Sequence, residues 1–318
     1  MRLARVVCVV LSGLAGLLVA PAASAAPGTV KVLSWNVCGN APSTTDCTQA
    51  GYTGKIAANV SASIDRHPGL DAVLLQEVCA ADVSRLGALR PGWRFQFTPV
   101  WYGRTGDRHR VACRDDRSTG KSRGYFGIAV GVRSTHVSFR HWYYSAAPTW
   151  NGWHKYRVTQ PLLCADAADL DTTFCGTHLT PIPAQLGSGS GRHDTTPAER
   201  KVYWRIQDQQ ARGILQRVGT RGRVVAGGDL NVAPPDSTAG AAIDPNATVP
   251  LYSGYQECDR SAHGGKRTGA GTYQWHGGTG RTKFDYVFGS KSATMSCYVT
   301  DAHVYTSDHR SITATITF

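Results

Sequence analysis

The chain has 318 residues, 42% of them hydrophobic, and a formal net charge of +12. This is enough for one large domain or two small ones with a real core, and it excludes a chain too polar to bury one. The positive excess favours a polyanionic partner, either nucleic acid or an anionic surface.

The first segment sets the expected compartment. Arg2 and Arg5 form a basic head, residues 6–20 are apolar and uncharged, and Ala23-Ser24-Ala25 supplies small residues at a cleavage site. Together they have the layout of a secretory signal peptide over residues 1–25. The apolar run is shorter than the roughly 20 residues needed to span a bilayer. Cleavage would remove Arg2 and Arg5 but no acid, lowering the charge by two to +10. Residues 26–318 contain no linker of disordered composition and no internal repeat, and are read as a single domain.

Apolar alternation and short apolar runs predict strands over 30–37, 72–75, 94–97, 126–132, 162–165, 172–179, 223–226, 284–288, 295–299 and 312–318. Two helices are predicted between them. Residues 55–67 carry Ile56, Val60 and Ile64 four apart and end against Pro68-Gly69. Residues 197–218 carry Val202, Ile206, Ile214 and Val218 on one stripe, behind a capping threonine, a first-turn proline and a capping-box acid in Thr196, Pro197 and Glu199. Many strands and few helices, with strands at both ends, predict two packed sheets flanked by helices. The run 187–191, Gly-Ser-Gly-Ser-Gly, follows no strand directly and lacks the Lys-Ser/Thr ending of a phosphate-cradling loop, so it reads as a mobile loop.

Loss of Cys8 with the signal segment leaves eight cysteines, an even number in an exported chain, which reads as disulfides. A hairpin centred on Asp169 and Leu170 would set Cys164 opposite Cys175. Sequential pairing is the expectation for the others: Cys38–Cys47, Cys79–Cys113 and Cys258–Cys297. No Cys-x-x-Cys and no zinc-spaced histidine pair points to a thiolate metal site.

Polar residues recur at the ends of the predicted strands: Asn36, Glu77, His178, Asp229 with Asn231, Asp285, and Asp308 with His309. Singly, an acid after a strand is ordinarily a turn or helix cap, and a lone histidine is ordinarily structural. Asp285 is less ordinary, because a carboxylate between apolar neighbours must be paired if it is buried. As a set they make chemical sense. Carboxylate and amide oxygens are hard ligands that suit Mg²⁺, and two histidines can move protons near neutral pH.

Six motifs, Trp35-Asn36, Gln76-Glu77, Thr177-His178-Leu179, Gly228-Asp229-Leu230-Asn231, Asp285-Tyr286 and Ser307-Asp308-His309, occur in the order of the endonuclease/exonuclease/phosphatase (deoxyribonuclease I-like) superfamily, which this chain resembles over about residues 30–318. The resemblance implies an α/β fold, a four-layer sandwich of two mostly antiparallel sheets flanked by helices, with the site where strand ends from both sheets converge. It implies Glu77, Asn36 and Asp308 as ligands of Mg²⁺, with Mn²⁺ or Ca²⁺ as alternatives. It implies His309 as general base oriented by Asp285, and His178 as a phosphate-side donor or general acid. Asp229 and Asn231 would bind the phosphate, the water or a second metal, and Arg157 stands near where the family often carries a phosphate-binding arginine. The acid that partners the first histidine in deoxyribonuclease I has no counterpart by eye in residues 101–123.

The six motifs specify phosphate-ester hydrolysis far better than they specify the substrate. Arg104, Arg108, Arg110, Arg114, Arg117, Lys121 and Arg123 crowd one glycine-punctuated loop that could track a phosphate backbone or simply be solvated. Trp142-Tyr143-Tyr144 with Trp150 and Trp153 could stack on bases, enter a membrane interface or pack on the sheet. The expectation is a secreted, monomeric, metal-dependent phosphodiesterase acting on nucleic acid. The alternative is a phospholipase C or sphingomyelinase acting at a membrane lipid surface.

Overall fold

The computed structural model describes residues 28–41, 47–104, 106–148, 157–182, 196–274, 281–300 and 306–318. Residues 1–25, the glycine run 187–191 and the tryptophans at 150 and 153 lie outside them. In chain order the strands begin with β1 (Thr29–Asn36), β2 (Ala72–Cys79), β3 (Arg94–Pro99), β4 (Trp101–Arg104), β5 (Asp107–Arg110) and β6 (Phe126–Val132). They continue with β7 (Val137–Tyr143), β8 (Ala147–Pro148), β9 (Arg157–Thr159), β10 (Pro161–Ala167), β11 (Thr172–His178) and β12 (Val224–Asp229). The last are β13 (Tyr255–Glu257), β14 (Tyr273–Gln274), β15 (Arg281–Thr282), β16 (Asp285–Ser290), β17 (Thr294–Val299) and β18 (Ile312–Thr317). The helices are α1 (Thr53–Arg66), α2 (Ala80–Leu89), α3 (Pro197–Val218) and α4 (Thr248–Gly254).

Two six-stranded sheets run in the orders β17-β18-β1-β2-β6-β3 and β13-β16-β12-β11-β10-β7. Each has one parallel pair, β1 with β2 and β11 with β12, and is otherwise antiparallel. Their inner faces share one core, with Val32, Leu74 and Val130 against Leu163, Phe174, Val225 and Val287. The outer face of the first sheet packs Leu33, Val73 and Leu75 against Ile56 and Val60 of α1 and Leu86 of α2. The outer face of the second packs Leu162 and Tyr286 against Ile214 of α3 and Leu251 of α4. The result is the expected four-layer α/β sandwich. Because both faces of each sheet are covered, Val73-Leu74-Leu75 sends alternate side chains into two different cores, and the strand reads as a continuous apolar run.

Helix α3 has the bounds and the Thr196–Pro197–Glu199 cap foreseen from sequence, but not the buried stripe. Val202 is exposed, and Ile206 and Val218 are only half-buried. The buried face is Tyr203, Gln207, Gln210, Ala211 and Ile214. Hydrogen bonding turns the helix this way: Gln207 Nε2 donates to the carbonyls of Thr180 and Asn231, and Gln210 Nε2 donates to Thr180 Oγ1. The buried N–H groups of both amides are paired in this manner, and Gln210 Oε1 also accepts from the Thr180 N–H, which outweighs an extra valine at the interface.

All four sequential disulfides are present: Cys38–Cys47, Cys79–Cys113, Cys164–Cys175 and Cys258–Cys297. Cys164 stands opposite Cys175 in the β10–β11 register, as the hairpin argument required. Thiol titration of denatured, unreduced protein should find none of these eight cysteines free. Loss of any one bridge should cost roughly 2–5 kcal/mol. Two or more reactive thiols at these positions would overturn the four-bridge arrangement.

Candidate active site

The parallel pairs bring their C-terminal ends, and the residues that follow, to one end of the sandwich. Asn36 at the end of β1 lies opposite Gln76, next to Glu77. His178 at the end of β11 lies opposite Asp229 at the end of β12, and Asp229 lies opposite Asp285 at the start of β16. Asp308 and His309 come just before β18, which runs antiparallel beside β1. The first sheet therefore presents Asn36, Glu77, Asp308 and His309 to His178, Asp229, Asn231 and Asp285 of the second.

Backbone strain is concentrated here. Among the described residues four non-glycine positions have positive φ, and three of them, Cys38 (53°), Glu77 (58°) and Asn231 (52°), belong to this end. The β2–β6 register shifts between Gln76 and Val78, so Glu77 is the extra residue of a bulge that re-aims its side chain. Each such residue costs on the order of 1–3 kcal/mol and persists because its surroundings impose it. Gly228 serves the same convergence, since a Cβ there would lie 1.9 Å from Thr177 O.

Asp229 is the hub. Its Oδ2 accepts from Asn36 Nδ2 at 3.0 Å and lies 3.4 Å from His178 Nε2 and 3.6 Å from His309 Nε2. Its Oδ1 accepts from the Asn231 backbone N–H at 2.8 Å. Burial alone would raise this carboxyl, but His309, His178 and Asn36 outweigh it and bring it to about 2. His309 Nδ1 lies 2.7 Å from Asp285 Oδ2, and Asp285 is wholly buried with Oδ1 unpartnered. Burial would depress the His309 imidazole, yet Asp285 and Asp229 hold it well above its ordinary value. His178 is raised in the same sense, burial being outweighed by Asp229 and Glu77. Asp229 is thus the carboxylate beside His178 Nε2, while His178 Nδ1 is buried without a partner.

Several supporting residues had no role of their own from the sequence, although Trp35 and Ser307 stand in the motifs and Arg123 in the basic segment. Ser307 Oγ donates to Asn36 O at 2.7 Å and accepts from the His309 N–H, locking the last motif onto the first. Trp35 Nε1 donates to His309 O. Thr272 Oγ1 accepts from the Asp285 N–H, and the Tyr273 ring lies 5.0 Å from the His309 ring. Arg123 is wholly buried, so it leaves the surface loop to which its position assigned it. Its guanidinium donates to Asp82 Oδ2 at 2.6 Å and to Gly39 O at 2.8 Å, while the Gly39 N–H donates to Glu77 O. It braces the corner that carries Glu77. Arg157 stands in β9 opposite Gly103 and Pro148, with its charge bearing on Tyr203 rather than on the Asp229 cluster.

The donor set fits a hard divalent cation. The Asp308 carboxyl is pushed up to about 6 by desolvation, with Glu77 and Asp229 adding to the shift and His309 opposing it. Carboxylates crowded in this way, with the Glu77 side chain re-aimed among them, favour a counter-cation with oxygen ligands. Asn36 turns its Nδ2 to Glu77 Oε1 at 3.1 Å, while its Oδ1 accepts from the Cys38 N–H.

The sequence profile of the Endonuclease/Exonuclease/phosphatase family matches residues 33–309. No curated protein matches the chain in sequence. Among solved structures, the endonuclease/exonuclease/phosphatase from Beutenbergia cavernae is 18% identical with a TM-score of 0.58, over 91% of this chain and 71% of that one. The endonuclease/exonuclease/phosphatase from Bacteroides vulgatus is 18% identical with a TM-score of 0.54, over 91% and 98%. D. rerio TDP2 complexed with single strand DNA product is 18% identical with a TM-score of 0.51, again over 91% and 98%. By its matched sequence and its fold, the chain belongs to the endonuclease/exonuclease/phosphatase family, whose enzymes hydrolyse phosphate esters and generally depend on a divalent metal.

Proposed function

We propose that this protein is a secreted, Mg²⁺-dependent phosphodiesterase that acts as a nuclease on DNA or RNA, as a monomer. The observation that carries the reading is the His309–Asp285 pair at 2.7 Å, with His309 Nε2 turned toward Asp229 and His178. Asp285 fixes the imidazole through Nδ1, leaving Nε2 to take the proton of an attacking water. His178, with Nε2 3.4 Å from Asp229 Oδ2, is placed to donate a proton to the phosphoryl or leaving oxygen. Asp229 and Asn231 orient the water and the phosphate between the two histidines. A divalent cation held by Glu77 and Asp308, with Asn36 beside them, would neutralise charge on the phosphoryl oxygens and offset the clustered carboxylates. Mg²⁺ suits that donor set, and Mn²⁺ or Ca²⁺ could replace it.

Nucleic acid is favoured over lipid by the positive excess of the chain and by the packing of the aromatic segment. Trp142 and Tyr144 are partly buried against the core beneath α3, and Tyr144 Oη is 3.1 Å from Thr177 Oγ1, which withdraws much of these two rings from the surface. TDP2, of similar fold, has been captured with a single strand DNA product. Secretion is supported by the signal-like segment 1–25 and by four disulfides, which form in oxidising compartments. No described helix is long and apolar enough to cross a membrane.

Purified protein with Mg²⁺, offered plasmid, RNA and sphingomyelin vesicles, should cleave a nucleic acid. Turnover of sphingomyelin alone would transfer the assignment to the phospholipase C class. Glu77→Gln should displace the Mg²⁺ titration of activity to higher concentration and weaken metal binding measured calorimetrically. An unchanged titration would remove Glu77 from the metal site.

A further inference from the structure

The sequence presents residues 104–123 as one basic loop, whereas the structure divides them in two. Arg123 is buried, Arg117 lies 5.9 Å from the Tyr52 ring, and Asp116 Oδ2 accepts from the Thr53 N–H at the start of α1. That half is anchored to the body of the protein. The other half is the β4–β5 hairpin.

The hairpin occupies the rim of the candidate active site. β4 follows directly from β3, whose Pro99 lies opposite Gly127, and Gly127 lies opposite Val78, next to Glu77. The other neighbour of β4 is β9, which leads into β10, where Leu162 lies opposite Thr177, next to His178. The small sheet β5-β4-β9-β8 therefore joins the two large sheets at the end where Glu77 and His178 converge. β5 is its outer edge, and all four of its residues, Asp107, Arg108, His109 and Arg110, are exposed.

The Arg110 guanidinium lies 5.6 Å from the Trp101 ring and 5.1 Å from the ring of Tyr125, which is 41% exposed. Arg108 donates to Thr159 Oγ1 at 2.9 Å. The aromatic faces are thus occupied by the arginine and hold it in place, so they are not offered to a base. A guanidinium fixed by its face keeps its N–H edge for a phosphate fork. Arg114 and Lys121, also exposed, belong to the anchored half and carry positive charge beyond the hairpin. A basic edge strand can also serve merely to discourage pairing between molecules, a role that would not alter substrate affinity.

Resting on the phosphodiesterase reading above, we propose that the β4–β5 hairpin is a phosphate-gripping arm that holds a polynucleotide beyond the scissile bond. Hydrolysis then favours long chains over short ones whatever their sequence, because phosphate contacts position a strand without reading it.

The test compares Arg108→Gln/Arg110→Gln with the unaltered protein on three substrates: bis(p-nitrophenyl) phosphate, a dinucleotide and long DNA. Turnover of the first two should be unchanged, while KM for long DNA should rise about tenfold, equally across sequences. The slope of log affinity against log salt, measured on duplex DNA with His309→Asn to prevent cleavage, should flatten by about 0.9 for each phosphate that the variant no longer neutralises. Arg108→Gln alone, in the same strand, reads the slope without disturbing the Trp101–Tyr125 clamp, should the double variant show a lowered Tm. An unchanged KM and slope would overturn the arm, as would lost binding to anionic vesicles with DNA affinity intact. Failure of the unaltered protein to hydrolyse any diester would instead overturn the phosphodiesterase reading, and the salt slope would still judge the arm by itself.

Discussion

His309→Ala should lower phosphodiester hydrolysis by about 10²–10⁴-fold, the range that a positioned general base contributes. The residue is more enclosed than the end of a motif before the last strand suggests: it is 7% exposed, between Asp285 and the Tyr273 ring. Its removal leaves Asp285 buried without the partner at 2.7 Å, so the alanine variant should also lose stability. His309→Asn separates the two effects, because it can still donate to the carboxylate but cannot act as a base. Near-normal turnover by either variant would dismiss His309 from the mechanism. Asp285→Asn adds a check on sign. In the metal-free protein the folded-state value of His309 is raised by Asp285 and Asp229 against burial. Its stabilisation is therefore complete below an unfolded value of about 6.5 and is lost as the pH rises through the raised folded value. Denaturant midpoints collected across pH in EDTA should show that slope in the unaltered protein and a flatter one in Asp285→Asn.

Arg123→Ala should cost about 3–5 kcal/mol of stability, the usual consequence of leaving one member of a buried ion pair behind. Neither Arg123 nor Asp82 is appreciably exposed, and burial already raises the Asp82 carboxyl despite the guanidinium beside it. The variant also frees Gly39, where a Cβ would lie 2.4 Å from Glu77 O, so the loosened loop is the one that seats Glu77. The double variant Arg123→Met/Asp82→Asn should recover part of the loss, since it removes the stranded charge while the amide oxygen can still accept from the Cys79 N–H. Urea denaturation would read both, through a lower midpoint at unchanged slope. A loss below about 1 kcal/mol in Arg123→Ala, the scale of an exposed pair, would mean that the pair anchors nothing.

The strands of the two large sheets were legible because some, such as β2, carry a continuous apolar run and others, such as β3 and β18, alternate apolar with polar residues. Of the twelve, only β7, taken for an aromatic insertion, and the three-residue β13 escaped. β5 has the sequence Asp-Arg-His-Arg, with no apolar face to announce it, and exists only because β4 offers it an edge. Helix α2 starts directly after β2 on a capping box made by Cys79 and Asp82, a cap that the usual serine or threonine signal misses. The stripe assigned to α3 was displaced because two glutamines, polar by composition, find buried partners in the loops after β11 and β12.

The even cysteine count pointed to disulfides without fixing their pairing. The polar residues at the strand ends are one-dimensional facts, so the sequence by itself carried the family resemblance, the layered architecture that it implies and the candidate site residues. How those residues meet was left to the tertiary structure. Asp229 became the partner of both histidines, Glu77 was turned inward by a bulge, and Arg123 moved from a presumed surface loop to a buried brace. The physical reason is the same in each case. Strand register, positive-φ backbone and the pairing of a buried charge depend on contacts between segments tens to hundreds of residues apart, and no local pattern of apolar and polar residues records which segments those will be.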